Sequence, residues 1–214
     1  MPLPILYSLR NCPYAMRARI GIHKAQLQID LREVNLKQKP AEMIAASAKG
    51  TVPTLVLDDE QQSPTVIDES LEVMLWALAK NDPDNLLHSF NQGSLPMMLA
   101  LITLFDDEFK TCLNTYKAAK RYREDNVIEC RQACEVFIQE LENRLSRGSF
   151  LMSAQESLAD IALIPFIRQF AKVERQWYLQ APYPRVRQWL NYYLQSAMFT
   201  KVMAKHELWV KMGE

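Results

Sequence analysis

The chain has 214 residues, with 25 basic and 25 acidic side chains, 49% hydrophobic residues and four cysteines. That length can bury an ample core, the apolar content and zero net charge exclude general disorder, and no apolar run approaches the roughly 20 residues that span a bilayer. Residues 1–80 carry 9 basic and 9 acidic side chains and residues 81–214 carry 16 of each, so neither part has the basic excess that a nucleic-acid partner requires.

Taken in chain order, the first 80 residues alternate short β-like runs with helical segments. Ile5-Leu6-Tyr7 is a short apolar run, and Pro13 to Ala25 reads as a helix with Pro in a tolerated first-turn position. Gln28 to Val34 alternates apolar and polar residues, the period of a half-buried strand. A second helix is predicted from Pro40 to about Ala48, ended by Gly50. Thr54 to Leu57 and Thr65 to Ile67 read as two strands of a hairpin joined by Asp58 to Pro64, and Glu69 to Lys80 as a third helix. The order β-α-β-α-β-β-α, with a right-handed parallel crossover in its first half, is that of a thioredoxin-like domain.

Asn81 to Gly93 is rich in turn formers and reads as a linker. Residues 94–214 are helical throughout in pattern. Helices are predicted from Pro96 to about Tyr122, Asp125 to Arg147 (closed by Gly148), Ser157 to about Lys172, Pro184 to Gln195, and Met198 to about His206. Ser157 and Asp160 have the spacing of a capping box, and Pro165 is expected to kink the helix that they open. The fold expected is a thioredoxin-like domain over 1–80, a linker over 81–93, and an all-helical domain over 94–214.

The N-terminus lacks a basic segment followed by a long apolar one, so no signal peptide is expected. Four cysteines at 12, 112, 130 and 134 are too sparse for a disulfide scaffold. Three scattered histidines supply no ligand set near Cys130 and Cys134, so no metal site is expected. A reducing cytoplasm fits this cysteine usage.

Asn11-Cys12-Pro13-Tyr14-Ala15 follows the first strand and opens the first helix. A thiol at a helix N-terminus faces free backbone N–H groups and the positive end of the helix dipole, which favour the nucleophilic thiolate. Residue 15 is Ala, so no Cys-x-x-Cys pair exists. A lone thiolate can form a mixed disulfide but needs an external thiol to resolve it. Pro53, in Thr51-Val52-Pro53-Thr54, stands just before the third strand. A cis bond there would turn the Val52 backbone toward Cys12, where an extended peptide could pair with it; a trans bond in an ordinary loop is the alternative. Asp68-Glu69-Ser70 opens the third helix. Free N–H groups and a hydroxyl suit a carboxylate, and Glu69 suits an ammonium, so the trio reads either as a receptor for an α-amino-acid head group or as plain capping.

With these residues the chain resembles the cytosolic glutathione transferases, most closely their omega-like, cysteine-dependent branch. The resemblance runs nearly the whole length, through LYSLRNCPYAMRARI, NLKQKP, TVPTL, the D-E-S helix start, SLADIALIPFIRQF and YPRVRQWL. It implies a glutathione-binding thioredoxin-like domain followed by an all-helical one, and a homodimer. It implies Cys12 as the catalytic cysteine, Lys39 on the glycyl carboxylate, Val52 and cis-Pro53 on the cysteinyl backbone, and Glu69 with Ser70 on the γ-glutamyl group. Tyr7 stands where tyrosine-type members activate the thiol; it is read, with Tyr14, as a supporting residue or alternative activator, and Ser8 as a weaker rival. Phe105, Tyr116, Trp177 and Trp209 are candidates for a second-substrate cleft, or else core.

Three functions are compatible with these features. One is a glutathione-dependent thiol transferase or reductase, working on disulfides, dehydroascorbate or glutathionyl ketones. The second is conventional conjugation of glutathione to electrophiles. The third is a non-catalytic binding or regulatory protein on the same fold.

Overall fold

The computed structural model describes residues 2–57, 64–91 and 94–210. The turn expected over Asp58 to Pro64 lies, except for Pro64, outside the described residues, as do the last two residues of the expected linker. Two compact units divide the chain: Met1–Pro83 together with Ala197–Glu214, and Asp84–Ser196.

The first unit is built on four short strands: β1 (Ile5–Ser8), β2 (Asp30–Glu33), β3 (Thr54–Leu57) and β4 (Thr65–Ile67). Their order in the sheet is β2-β1-β3-β4. β1 pairs in parallel with β2, while β3 is antiparallel to both β1 and β4. This is the expected thioredoxin-like sheet. Its helices are α1 (Pro13–Lys24), α2 (Ala41–Ala46) and α3 (Ser70–Lys80).

α1 and α3 pack together at close range. A Cβ added at Gly21 would stand 2.8 Å from Met74 Cγ and 2.9 Å from Met74 Cα. Part of that contact is backbone, which cannot swing aside as a flexible side chain does, so Gly21→Ala is expected to cost about 1–3 kcal/mol through overpacking. A chemical-denaturation midpoint unchanged by the substitution would contradict this contact.

The expected boundary of the helical domain changes at its C-terminal end. Residues from Ala197 onward group with the sheet unit. α10 (Ala197–Val202) packs against α1. Buried Arg19 donates from Nη1 to Val202 O at 3.3 Å. Farther on, Trp209 N donates to Glu33 O at 2.8 Å, and Leu208 bridges to Glu33 as a parallel addition to the edge of β2. A helical pattern identifies α10 but carries no information about which body covers its apolar face.

The second unit contains α4 (Ser94–Leu104), a π-helical turn (Phe105–Phe109), α5 (Lys110–Tyr122), α6 (Val127–Leu145), α7 (Leu158–Val173), α8 (Arg175–Gln180) and α9 (Pro184–Leu194). The single helix expected from Pro96 to Tyr122 is thus interrupted by a π turn, and α8 has no counterpart among the expected helices. α7 is the buried centre and continues through Pro165. The expected capping box is formed. Asp160 Oδ2 accepts from Ser157 N at 3.0 Å and from Ser157 Oγ at 2.6 Å. Its other oxygen accepts from Leu151 N and Trp189 Nε1, both at 2.9 Å. No helix among the described residues is long and apolar enough to cross a membrane.

Glu174, between α7 and α8, gathers three donors at 2.8 Å: Tyr116 Oη, Lys120 Nζ and Arg131 Nη1. Partial burial by itself raises a carboxyl, but these donors outweigh it and hold Glu174 at about 2, below its ordinary 4.5. A group depressed in the folded state contributes stability above its unfolded value and loses it as pH falls through the folded one. Between about pH 5 and about pH 3, the urea midpoint of the wild type is therefore expected to drop more than that of Glu174→Gln. Parallel declines would show that the network is not coupled to folding.

Candidate active site

β1 ends at Ser8, and the chain turns through Leu9, Arg10 and Asn11 to reach Cys12. Two contacts hold the turn: Cys12 N donates to Leu9 O at 3.0 Å, and Arg10 N donates to Glu33 Oε1 at 2.6 Å. The other Glu33 oxygen pairs with Arg19, both side chains being almost fully buried. Cys12 is the N-cap residue of α1 in an extended conformation, with Pro13 in the first helical turn. Its thiol makes no capping bond to the helix. Instead, the half-buried Cys12 Sγ donates to Val52 O at 3.7 Å.

The Val52–Pro53 peptide bond is cis. Val52 is buried with Tyr7, Ala15, Val34 and Met43, and Cys12 packs against this cluster. Thr54 Oγ1 donates to Thr51 O at 2.8 Å and braces the loop. Gly50 has φ +56°, a left-handed conformation that favours glycine.

The segment Ser47–Pro53 is the common support of the site. At one end it meets α3, where Asp68 accepts from Ser47 Oγ at 2.7 Å and from Lys49 Nζ at 3.4 Å. The Ser47 hydroxyl, followed by the Lys49 ammonium, holds the Asp68 carboxyl below its ordinary value. Lys49 also pairs with Glu69, the N-cap residue of α3. In the middle, a Cβ added at Gly50 would lie 3.0 Å from Lys39 Nζ, so the Lys39 ammonium lies against that glycine. At the far end, Val52 meets Cys12. Cys12, Lys39, Val52, Pro53 and Glu69 thereby connect to one loop, and Ser70 occupies a buried position at the start of α3.

Two participants escaped the sequence reading. Ser47 and Lys49 hold the Asp68-Glu69 corner, although neither has a motif of its own. The only available signal was Lys49's place immediately before Gly50-Thr51-Val52-Pro53.

The two hydroxyls that rivalled Cys12 each accept a hydrogen bond from an arginine. Tyr7 is buried, and its hydroxyl accepts from Arg32 Nη1 at 3.2 Å. Ser8 is buried, and its hydroxyl accepts from Arg19 Nε at 2.7 Å. Tyr14 lies half-buried in the first turn of α1. Of the remaining thiols, Cys134 is buried; burial, followed by its neighbours Cys112 and Cys130, pushes it up to about 12.

Of the aromatic residues named for a second-substrate cleft, Phe105, Tyr116 and Trp177 belong to the helical unit and Trp209 to the sheet unit. Phe105 and Tyr116 are 1% and 0% exposed, which corrects their assignment to an open cleft. They belong to an aromatic core in which Phe105 meets Phe109 at 5.0 Å and Tyr116 meets Phe170 at 5.9 Å. Half-buried Trp177 stands edge-on to Phe170, with the Arg131 guanidinium 4.3 Å over its ring. Trp209 belongs to the sheet unit: it stands edge-on to Tyr7, and Arg32 lies 4.5 Å over its ring. Among the described residues, no group of three or more His, Cys, Asp or Glu is arranged to hold a metal ion.

A thioredoxin-like sheet with a cysteine at the start of α1, a cis-proline loop beside it and a separate helical unit defines a glutathione-transferase-like architecture. The family models agree. "Glutathione S-transferase, N-terminal domain" matches residues 6–85, and "Glutathione S-transferase, C-terminal domain" matches residues 125–191. Together these spans cover more than half of the chain, which belongs to the glutathione S-transferase family.

No curated protein sequence matches the chain. Among solved structures, a glutathione transferase family member from Pseudomonas fluorescens, with two glutathione bound, has a TM-score of 0.79 at 16% identity, covering 94% of this chain and 92% of its own. A glutathione transferase from Pseudomonas putida, with glutathione disulfide bound, has a TM-score of 0.79 at 17% identity, covering 94% and 90%. Glutathione transferase Omega 3C from Trametes versicolor has a TM-score of 0.78 at 18% identity, covering 97% and 92%. At these identities the likeness is one of fold.

Proposed function

We propose that the protein is an omega-like glutathione transferase working mainly as a thiol transferase. The observation that carries this reading is the contact between Cys12 Sγ and Val52 O beside the cis peptide bond. It sets a half-buried, uncapped thiol against the backbone that an extended cysteinyl peptide would pair with. Ala15 supplies no resolving thiol. The Cys12 thiolate attacks the glutathionyl sulfur of a mixed disulfide, forming a Cys12–glutathione disulfide and expelling the substrate thiolate, which takes up a proton. A second glutathione thiolate attacks the glutathionyl sulfur of that adduct, releasing glutathione disulfide and regenerating the Cys12 thiolate. The substrate's mixed disulfide is reduced to a thiol, and the one free glutathione that is oxidised leaves as glutathione disulfide with the glutathionyl unit the substrate brought.

In this reading Lys39 takes the glycyl carboxylate, Val52 pairs with the cysteinyl backbone, and Glu69 with Ser70 holds the γ-glutamyl head. The Lys49–Glu69 pair gives that binding a definite form: the ligand ammonium replaces the Lys49 ammonium on Glu69. A homodimer in the cytoplasm belongs to the same reading and rests on family membership. Conventional conjugation has less support, because a cysteine at this place competes by forming a disulfide with the cosubstrate. Intact mass after exposure to glutathione disulfide tests the proposal. One glutathione adduct is expected on the wild type and none on Cys12→Ala; an unmodified wild type refutes the mechanism.

A further inference from the structure

Glu33 closes β2 and is buried. Each of its oxygens accepts from a different part of the sheet unit. Oε1 takes Arg10 N at 2.6 Å, Oε2 takes the Arg19 guanidinium, and the backbone oxygen takes Trp209 N at 2.8 Å. Arg10 stands two residues before Cys12, in the turn that presents the thiol. Trp209 follows Leu208, which bridges to Glu33 along the edge of β2. One residue thus ties the turn of the nucleophile to a segment from the other end of the described chain.

Arg19 repeats the arrangement. Its guanidinium donates from Nε to Ser8 Oγ at 2.7 Å, where β1 gives way to the turn, from Nη1 to Val202 O at 3.3 Å, and from Nη2 to Glu33. Burial lowers Arg19 from its ordinary 12.5. Glu33 is the strongest influence opposing burial, and the charge of Cys12 also opposes it, so the guanidinium lies within electrostatic reach of the Cys12 sulfur. The Arg19–Glu33 pair therefore touches the turn through Ser8 and Arg10, and the 202–209 segment through Val202 and Trp209.

A buried ion pair adds little net stability against an apolar replacement, but its directional bonds fix geometry. Here the group fixed is a backbone amide two residues from the nucleophile. Cys12 makes no capping bond to α1, so the backbone of its turn sets where the sulfur stands. Displacing a reacting group by about 1 Å can cost about a hundredfold in rate. Glu33 is only 7% exposed with the 202–209 segment in place, so solvent does not compete with its bond to Arg10 N.

We infer that Glu33 is a positioning residue for Cys12, and that the 202–209 segment, by closing on Glu33 and Arg19, holds the turn of the nucleophile in register for thiol exchange. The inference rests on the thiol-transferase reading and adds to it a residue outside the glutathione contacts. Steady-state reduction of the cysteine–glutathione mixed disulfide by the full chain tests it. In Glu33→Gln, kcat is expected to fall about tenfold or more while KM for the mixed disulfide stays within about twofold, the split of a misplaced reacting group with ground-state binding kept. Gly21→Ala destabilises the same unit away from Glu33 and is expected to keep the wild-type kcat, so lost stability alone does not produce the effect. Trp209→Pro removes the N–H donated to Glu33 O, whereas Trp209→Ala removes the ring and keeps that donor. The proline variant is expected to turn over about threefold or more slowly than the alanine variant. Should Glu33→Gln fail to fold, the two Trp209 variants still decide. Unchanged kcat in folded Glu33→Gln, an equal loss in Gly21→Ala, or equal turnover of the two Trp209 variants would each overturn the inference and leave the thiol-transferase reading standing; an inactive wild type would overturn both.

Discussion

Replacement of Cys12 by Ser is expected to lower glutathione-dependent disulfide reduction by about a thousandfold or more, the scale seen when a covalent nucleophile is removed. The hydroxyl has nearly the shape of the thiol but cannot enter a disulfide exchange. The Val52–Pro53 loop, Lys39 and Glu69 are untouched by the change, so binding of S-methylglutathione is expected to persist. Loss of turnover with retained binding is the signature of a missing nucleophile rather than a collapsed site. Measuring reduction of a glutathionyl mixed disulfide and conjugation of chlorodinitrobenzene on the same two proteins separates the mechanisms. If Cys12→Ser keeps full reductase activity, the covalent mechanism is wrong. If neither protein binds S-methylglutathione, the non-catalytic reading gains instead.

Replacement of Asp160 by Ala is expected to destabilise the helical unit by at least about 3 kcal/mol, because buried donors left unsatisfied cost roughly 1–3 kcal/mol each. Asp160 is fully buried, and its two oxygens accept four hydrogen bonds. They join the N-terminus of α7, the loop at Leu151 and the Trp189 ring of α9. Removing the carboxylate orphans Leu151 N, Ser157 N and Trp189 Nε1 together. Burial, opposed by these hydrogen bonds, pushes the Asp160 carboxyl up to about 6 from its ordinary 3.8. A raised folded value means that this group's contribution to stability is fully present below about pH 4 and declines as pH rises through about 6. Asparagine keeps one acceptor and is expected to fall between wild type and alanine. Urea denaturation followed by tryptophan fluorescence measures all three proteins, and a loss under about 1 kcal/mol for Asp160→Ala would remove the network from the account of stability.

The capping box shows what was legible in the linear chain. Ser157 and Asp160 sit three apart before an apolar run, and a helix start needs only local geometry to satisfy its own N–H groups. The further partners of Asp160 were invisible, because Leu151 and Trp189 reach it only after loop and α9 have packed. The C-terminal segment makes the same point in reverse. Residues 198–206 read as helical, but Arg19 holds Val202 and the edge of β2 holds Leu208 and Trp209 in the sheet unit through contacts some 180 residues apart in sequence. Phe105 and Tyr116 were equally suited to a cleft or a core by residue type. Packing around Phe170 and the Glu174 carboxylate placed them in the core.

By itself, the order of residues determined the element sequence of the thioredoxin-like part, the helical character of the remaining chain, and the place of Cys12 at the start of α1. Each depends on periodicity, proline position or capping, which act over a few neighbouring residues. Only the tertiary structure decided that Val52 O meets the Cys12 thiol and that Lys49 occupies Glu69. Those facts depend on which distant groups come within hydrogen-bond reach, and that is set by the packing of whole elements. The balanced charge of the chain falls on the same divide. Net neutrality excludes a global field from the sequence alone, while recognition of an ionic ligand rests on the few charges that folding leaves facing one another.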